Sequence, residues 1–179
     1  MRKLFIMAAL LSFVLIGCAT VHQRTPFFTE DQMKITVSME EILGQNIDQR
    51  FVGHYVWYDD LYINGTYMWS ERCHAYKFDG TVRYWSGSAG IDRQPIPPRN
   101  ISNNEPYMFL LGDLLYVEDS VSRLRDSADY LRSNTLSFRL VGRYAFTSSG
   151  HLKISSQSRE PDGRYALVTR TYRRSYQFE

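Results

Sequence analysis

Four histidines, one Cys-His pair and two carboxylate pairs are the residues of this chain whose types could do acid–base or metal chemistry. The histidines are His22, His54, His74 and His151. Cys73-His74 sets two metal-ligating types side by side, but neighbours on an extended strand point to opposite faces. No Cys-x-x-Cys or His-x-x-x-His spacing accompanies them, so no metal site is expected. Asp59-Asp60, and Asp126 with Asp129, would suit acid–base work only if a fold held two carboxyls about 5–10 Å apart across a cleft. Solvated turns and a helix face account for them more simply. The sequence has no Gly-x-Ser-x-Gly, no phosphate-cradling glycine loop and no Rossmann fingerprint. No catalytic residue and no cofactor is therefore expected, and the chain does not read as an enzyme. Trp57, Trp69 and Trp85 are candidates of another kind: indole rings can line a pocket for an apolar or sugar ligand, and they serve equally as core packing or a surface girdle. The cationic stretch Arg170-Thr171-Tyr172-Arg173-Arg174 reads as a solvated strand end, with phospholipid headgroup contact as the alternative.

The amino-terminal residues are Met1-Arg2-Lys3, an apolar run from Leu4 to Ile16, then Gly17-Cys18-Ala19. A positive end followed by roughly a dozen apolar residues is the layout of a secretory signal peptide, and the run is short of the ~20 residues that span a bilayer. Leu15-Ile16-Gly17-Cys18 resembles the lipobox of bacterial lipoprotein precursors. The resemblance implies cleavage before Cys18, a diacylglycerol on its sulfur and often a further acyl group (palmitate, for example) on its new amine. The expected division is a signal peptide over 1–17, a lipidated cysteine and tether over 18–30, and a single β-rich domain over 31–179. Two or more acyl chains hold a protein stably on a membrane. Ala19 stands where an aspartate would resemble an inner-membrane retention signal, so the resemblance favours the outer membrane in a two-membrane bacterium.

Loss of Arg2 and Lys3 takes the 21 basic residues to 19, equal to the 19 acidic ones. A balanced chain without a basic stripe lacks the footprint of nucleic-acid binding. With Cys18 acylated, Cys73 is the remaining thiol, so the domain is held by packing, to which the 13 tyrosines and the phenylalanines other than Phe5 and Phe13 contribute.

The elements that must position these residues read as follows. Ser38-Met39-Glu40-Glu41 fits a capping box, and Met39, Ile42, Leu43 and Ile47 recur at helical spacing, predicting a helix over 39–49 weakened by Gly44. Val52 to Tyr58 and Tyr67 to Phe78 are rich in β-formers. Asp79-Gly80 before Thr81 to Trp85 signals a hairpin, with His74, Tyr76 and Phe78 on one face. Residues 86–106 hold two glycines and four prolines and read as a long loop. Tyr107–Leu111 and Leu114–Val117, joined by Gly112-Asp113, read as a hairpin whose nearly all-apolar strands are covered on both faces. Val121, Leu124, Ala128 and Leu131 favour a helix over 120–132. Strands return over 137–147, 152–157 and 165–176, with turns at 148–150 and 161–163. Phe51-Val52-Gly53-His54-Tyr55-Val56-Trp57 aligns without gaps on Leu140-Val141-Gly142-Arg143-Tyr144-Ala145-Phe146. In each segment a glycine precedes two aromatic residues on one face, leaving room for a neighbouring side chain.

A short helix, a Gly-x-aromatic strand, an Asp-Gly hairpin and a closing Gly-x-Tyr strand together resemble the small lipocalin-like lipoproteins over about residues 51–176, with Tyr55 at the position of that family's tryptophan. The resemblance implies a mainly β fold, an antiparallel barrel or sandwich closed or nearly closed on itself. Two functions fit it. The first is an envelope lipoprotein that binds a small apolar ligand at the membrane surface, in a cavity of at least about 300 Å³. The second is a structural or protein-interaction lipoprotein with a filled barrel, docking on envelope proteins through exposed apolar residues of 86–106.

Overall fold

A computed structural model describes residues 19–58, 61–63, 66–68, 72–90, 99–119 and 134–175. The expected signal peptide, Cys18, Asp59-Asp60, Trp69 and the helix expected over 120–132 lie outside the described residues. The chain is mainly β. Its strands are β1 (Ala19–Gln23), β2 (Lys34–Ser38), β3 (Gly53–Tyr58), β4 (Leu61–Ile63), β5 (Thr66–Met68), β6 (Arg72–Phe78), β7 (Tyr84–Gly90), β8 (Met108–Leu111), β9 (Leu114–Glu118), β10 (Thr135–Phe146), β11 (Leu152–Arg159) and β12 (Tyr165–Ser175). Two helical turns, α1 (Glu30–Met33) and α2 (Met39–Leu43), precede β3.

Every pairing among the described residues is antiparallel, and the sheet runs β7-β6-β3-β12-β11-β10-β9-β8. The last strand thus returns to pair with β3, and the meander curls into an incompletely closed barrel of the kind the resemblance implies. Its two edge strands, β7 and β8, meet where a bridge joins Arg83 to Tyr107. Successive residues alternate between interior and exterior. Tyr55, Tyr76, Phe78, Tyr84, Met108, Leu115, Val117, Leu152, Ile154 and Tyr172 point inward and form the main core with Phe51. Strand β9 is buried at all five positions because Leu114 and Tyr116 face a second, outer cluster with Phe28, Val37, Ile42 and Phe138. Coverage on both faces is as the apolar run suggests.

Several boundaries differ from the sequence reading, each for a local reason. The Ser38–Glu41 capping box forms, with Ser38 N–H donating to Glu41 at 3.0 Å, but the helix stops at Leu43 and Gly44 caps it. Asp79-Gly80 does not make a two-residue hairpin. Asp79 Oδ1 accepts from Thr81 N–H at 3.0 Å, and pairing resumes only at Phe78↔Tyr84. The loop expected from residue 86 begins later, because β7 continues to Gly90; Ser86 and Ser88 stand opposite Tyr76 and His74, where small side chains leave room for the rings. The expected tether is built into the sheet. Among the described residues, strand β3 pairs with Arg173–Ser175 of β12, which leaves the edge at Tyr165–Thr169 open, and β1 takes it. Gln157 then accepts the backbone N–H groups of both Phe27 and Phe28, and β2 takes the edge of β10 that β11 leaves.

Candidate functional site

The barrel has two unlike ends. At one, Phe51 is wholly buried, with ring centroids 5.2 Å from Phe78, 4.9 Å from Tyr144 and 5.0 Å from Phe146 in edge-to-face contact. It arrives there because the segment after α2 crosses the seam. Ile42 packs in the outer cluster, Gln45 lies against β8, and Ile47 and Phe51 enter the main core. Tyr55 fixes the plug by donating its hydroxyl to the Arg50 carbonyl.

The other end lies about 13 Å farther along β3, at the spacing of a strand. Trp57 is paired with His74 there, and both face inward. The centroids of His74 and Tyr76 are 4.6 Å apart, those of Tyr76 and Tyr172 5.3 Å, and those of Trp57 and Tyr172 6.5 Å. The Tyr172 hydroxyl lies 3.4 Å from His74 Nδ1. Arg170 stands opposite Ile154 on the interior face, with its guanidinium carbon 4.8 Å from the centroid of Trp57. Arg139, opposite the inward-facing Val117, is exposed at the rim. Burial pushes the Tyr76 hydroxyl far above its ordinary range, so it stays protonated. Burial first, and the neighbouring Arg170 second, hold His74 below the usual imidazole value and therefore neutral. The arrangement is an aromatic cup with two guanidinium groups, neither of them in an ion pair among the described residues.

The candidates named from the sequence scatter. Trp57 faces the interior, whereas Trp85 lies on the outside of the sheet with Val56, Cys73 and Ala75. The two therefore cannot line one pocket, because they sit on opposite faces of the same sheet. Cys73 and His74 also point to opposite faces. His22 is on the exposed β1, His54 is buried on the outer face 6.3 Å from the Trp85 centroid, and His151 accepts from Arg174 N–H at 3.3 Å. No group of metal-ligating side chains forms among the described residues. A depression of about 470 Å³ lined by Arg24, Asp162, Gly163 and Arg164 is an open surface feature and not barrel interior.

Arg170 differs from its expected place: Arg170–Arg174 reads in sequence as a solvated strand end, with phospholipid headgroup contact as the alternative, whereas Arg170 lies half-buried beside Trp57. Its signal was Tyr172: an inward tyrosine puts Arg170 and Arg174 on the same face by the period of two. No protein-family model, curated protein or solved structure matches the chain.

Proposed function

We propose that the chain is a cell-envelope lipoprotein whose barrel holds a small, largely apolar ligand at a membrane surface. The observation that carries this reading is the asymmetry of the barrel. Phe51 fills one end, and the other leaves the half-buried Trp57 ring beside Tyr172 and Arg170. The anchor rests on Leu15-Ile16-Gly17-Cys18 and on where the chain enters the sheet: Ala19, the next residue, pairs with Thr169, one position from Arg170. Acyl chains on Cys18 would then act without a spacer, drawing the Trp57 end of the barrel against the lipid. Ala19 favours the outer membrane over the inner where both exist.

The alternative is a filled barrel docking through residues 86–106, and the closely packed interior agrees with it as well. In the described part of that loop, Ile101 packs on the outer cluster of Val56, Cys73 and Trp85 and is not presented to a partner. Two measurements test the proposal. Radiolabelled palmitate and membrane fractionation should mark the parent and not Cys18→Ser; equal labelling and sedimentation of the two overturns the anchor. Native mass spectrometry of the lipidated chain, released from mild detergent, should show a co-purified ligand of discrete mass. Consistently bare protein favours the docking alternative.

A further inference from the structure

We infer that the Trp57 end of the barrel receives the head of an amphipathic oxyanion, a carboxylate or phosphate ester carrying an aliphatic chain, with Arg170 as its counter-charge and Arg139 at the rim. This rests on the ligand-holding reading above and names the chemistry of the ligand.

The argument begins with an unbalanced charge. The Nε of Arg170 is buried and has no hydrogen-bond partner, and the Trp57 face is the contact its guanidinium makes. Neither Arg170 nor Arg139 has an ion-pair partner among the described residues. Several other cations have partners: Arg50 has Asp48 at 2.6 Å, Arg143 has Asp113 at 2.7 Å, Lys34 has Asp119 at 3.4 Å, and Arg83 donates to the Tyr107 hydroxyl at 2.5 Å. A guanidinium does not shed its charge by deprotonation, so a half-buried one without an acid is costly unless something else brings the negative charge. Its planar fork suits a two-oxygen head. Tyr76 stays a protonated phenol and His74 stays uncharged, so neither supplies the missing anion.

The direction of binding follows from packing. Ile154, level with Arg170, and the pair Leu152 and Tyr172 beyond it are all within 5% exposure, so an aliphatic tail has no room to pass inward. The head enters first, and the tail lies along Trp57 toward the mouth, on the side where Ala19 joins the sheet.

The test uses the full-length lipidated protein in bicelles of zwitterionic lipid, with oleate carrying 13C at its carboxyl as probe. A protein-bound carboxyl resonance is expected, titrating below that of oleate in empty bicelles. Arg170→Gln should weaken binding about ten-fold or more, the loss of one charge-assisted pair, and Arg170→Lys should restore part of it. Oleyl alcohol, with the same tail and no charge, should fail to displace oleate. Displacement by a lysophosphatidate supports the site, and its strength relative to oleate decides between phosphate and carboxylate heads. Displacement by inorganic phosphate at equal concentration overturns the amphipathic requirement. If oleyl alcohol competes as well as oleate, the anion site is overturned while the ligand-holding barrel stands. No bound resonance for any probe, with no co-purified ligand, overturns both. Should Arg170→Gln fail to fold, the probe comparison on the parent protein still decides.

Discussion

The side-chain amide of Gln45 occupies the place of a missing strand beside Leu110: its Oε1 accepts from Leu110 N–H at 2.7 Å, and its Nε2 donates to the Met108 carbonyl at 3.2 Å. Strand β8 is an edge of the incompletely closed barrel, and an edge with unpaired backbone groups invites pairing with another chain. Gln45 satisfies one donor and one acceptor of that edge with a single residue. The bridge at Arg83 and Tyr107, with Met108 N–H donating to Val82 at 2.8 Å, covers the rest of the same seam.

Gln45→Ala should therefore cost about 1–3 kcal/mol, the range for leaving backbone groups without partners, read as a drop in urea midpoint. Amide exchange at Leu110 should speed up. Gln45→Glu keeps an acceptor for Leu110 N–H but has no donor for Met108, so its loss should fall between the two. Equal stability of Gln45→Ala and the parent would show that water serves the edge just as well.

Gly53 and Gly142 make the second prediction. Both adopt positive φ, +147° and +154°, a region that side chains resist. The room they leave differs. A Cβ on Gly53 would meet the flexible Arg174 side chain at 3.0 Å, whereas one on Gly142 would come within 2.3 Å of the Ser155 carbonyl oxygen. Gly142 also sits at the register shift where β9 crosses β10. Gly142→Ala should cost more than about 2 kcal/mol and Gly53→Ala about 1 kcal/mol, as measured by equilibrium unfolding. Equal costs would mean that backbone strain alone, and not the close approach of β11, sets the penalty.

Two buried imidazoles set a pH dependence. Burial holds His54 and His74 below the ordinary imidazole value of 6.5, with Lys77 beside the first and Arg170 beside the second adding to the effect. Both are bases with depressed folded-state values, so the unfolded chain takes up their protons first. Stability from this source is intact above about pH 6.5 and falls as pH drops below it. Urea midpoints from pH 8 to pH 5 should be level and then decline, and His74→Gln should flatten part of the decline. A midpoint that rises on acidification from pH 7 to pH 6 would show that the imidazoles charge more easily in the folded state.

The strands were legible where period-two burial matched residue type: β3, β9 and the pair β10–β11 lie within a few residues of their sequence-based bounds. Gly112-Asp113 turned as read, with Gly112 at φ +61°. Two things hid the rest. Strand β1 carries no amphipathic pattern of its own and exists because β12 has an open edge, a fact of tertiary structure. Gly87 and Gly90 suggest a loop, whereas β7 runs on through both, opposite Ala75 and Arg72. The candidate site is half legible: Trp57 stands out by residue type, but residue type alone does not place Trp85 on the opposite face of the sheet. Arg170 was hidden inside a run of cations that seemed bound for solvent.

Phe51 separates the two ends of the barrel experimentally. Its ring fills the space among Phe78, Tyr144 and Phe146, and its backbone N–H is tied to Asp48 at 2.8 Å. Phe51→Ala removes the plug while the Arg50 and Asp48 contacts that shape the turn can persist, so the loss is a cavity and not an unfolded segment. The cost should be about 3–5 kcal/mol. The cavity left is lined by apolar rings, the kind that stays dry and takes up small apolar molecules. Benzene or xenon should therefore restore part of the lost stability of Phe51→Ala and have no such effect on the parent. Oleate binding at Arg170 should persist in Phe51→Ala, because the tail runs outward along Trp57. If the variant instead gains affinity for longer-chain acids, the tail has turned inward through the vacated plug, and the head-first direction of binding is wrong.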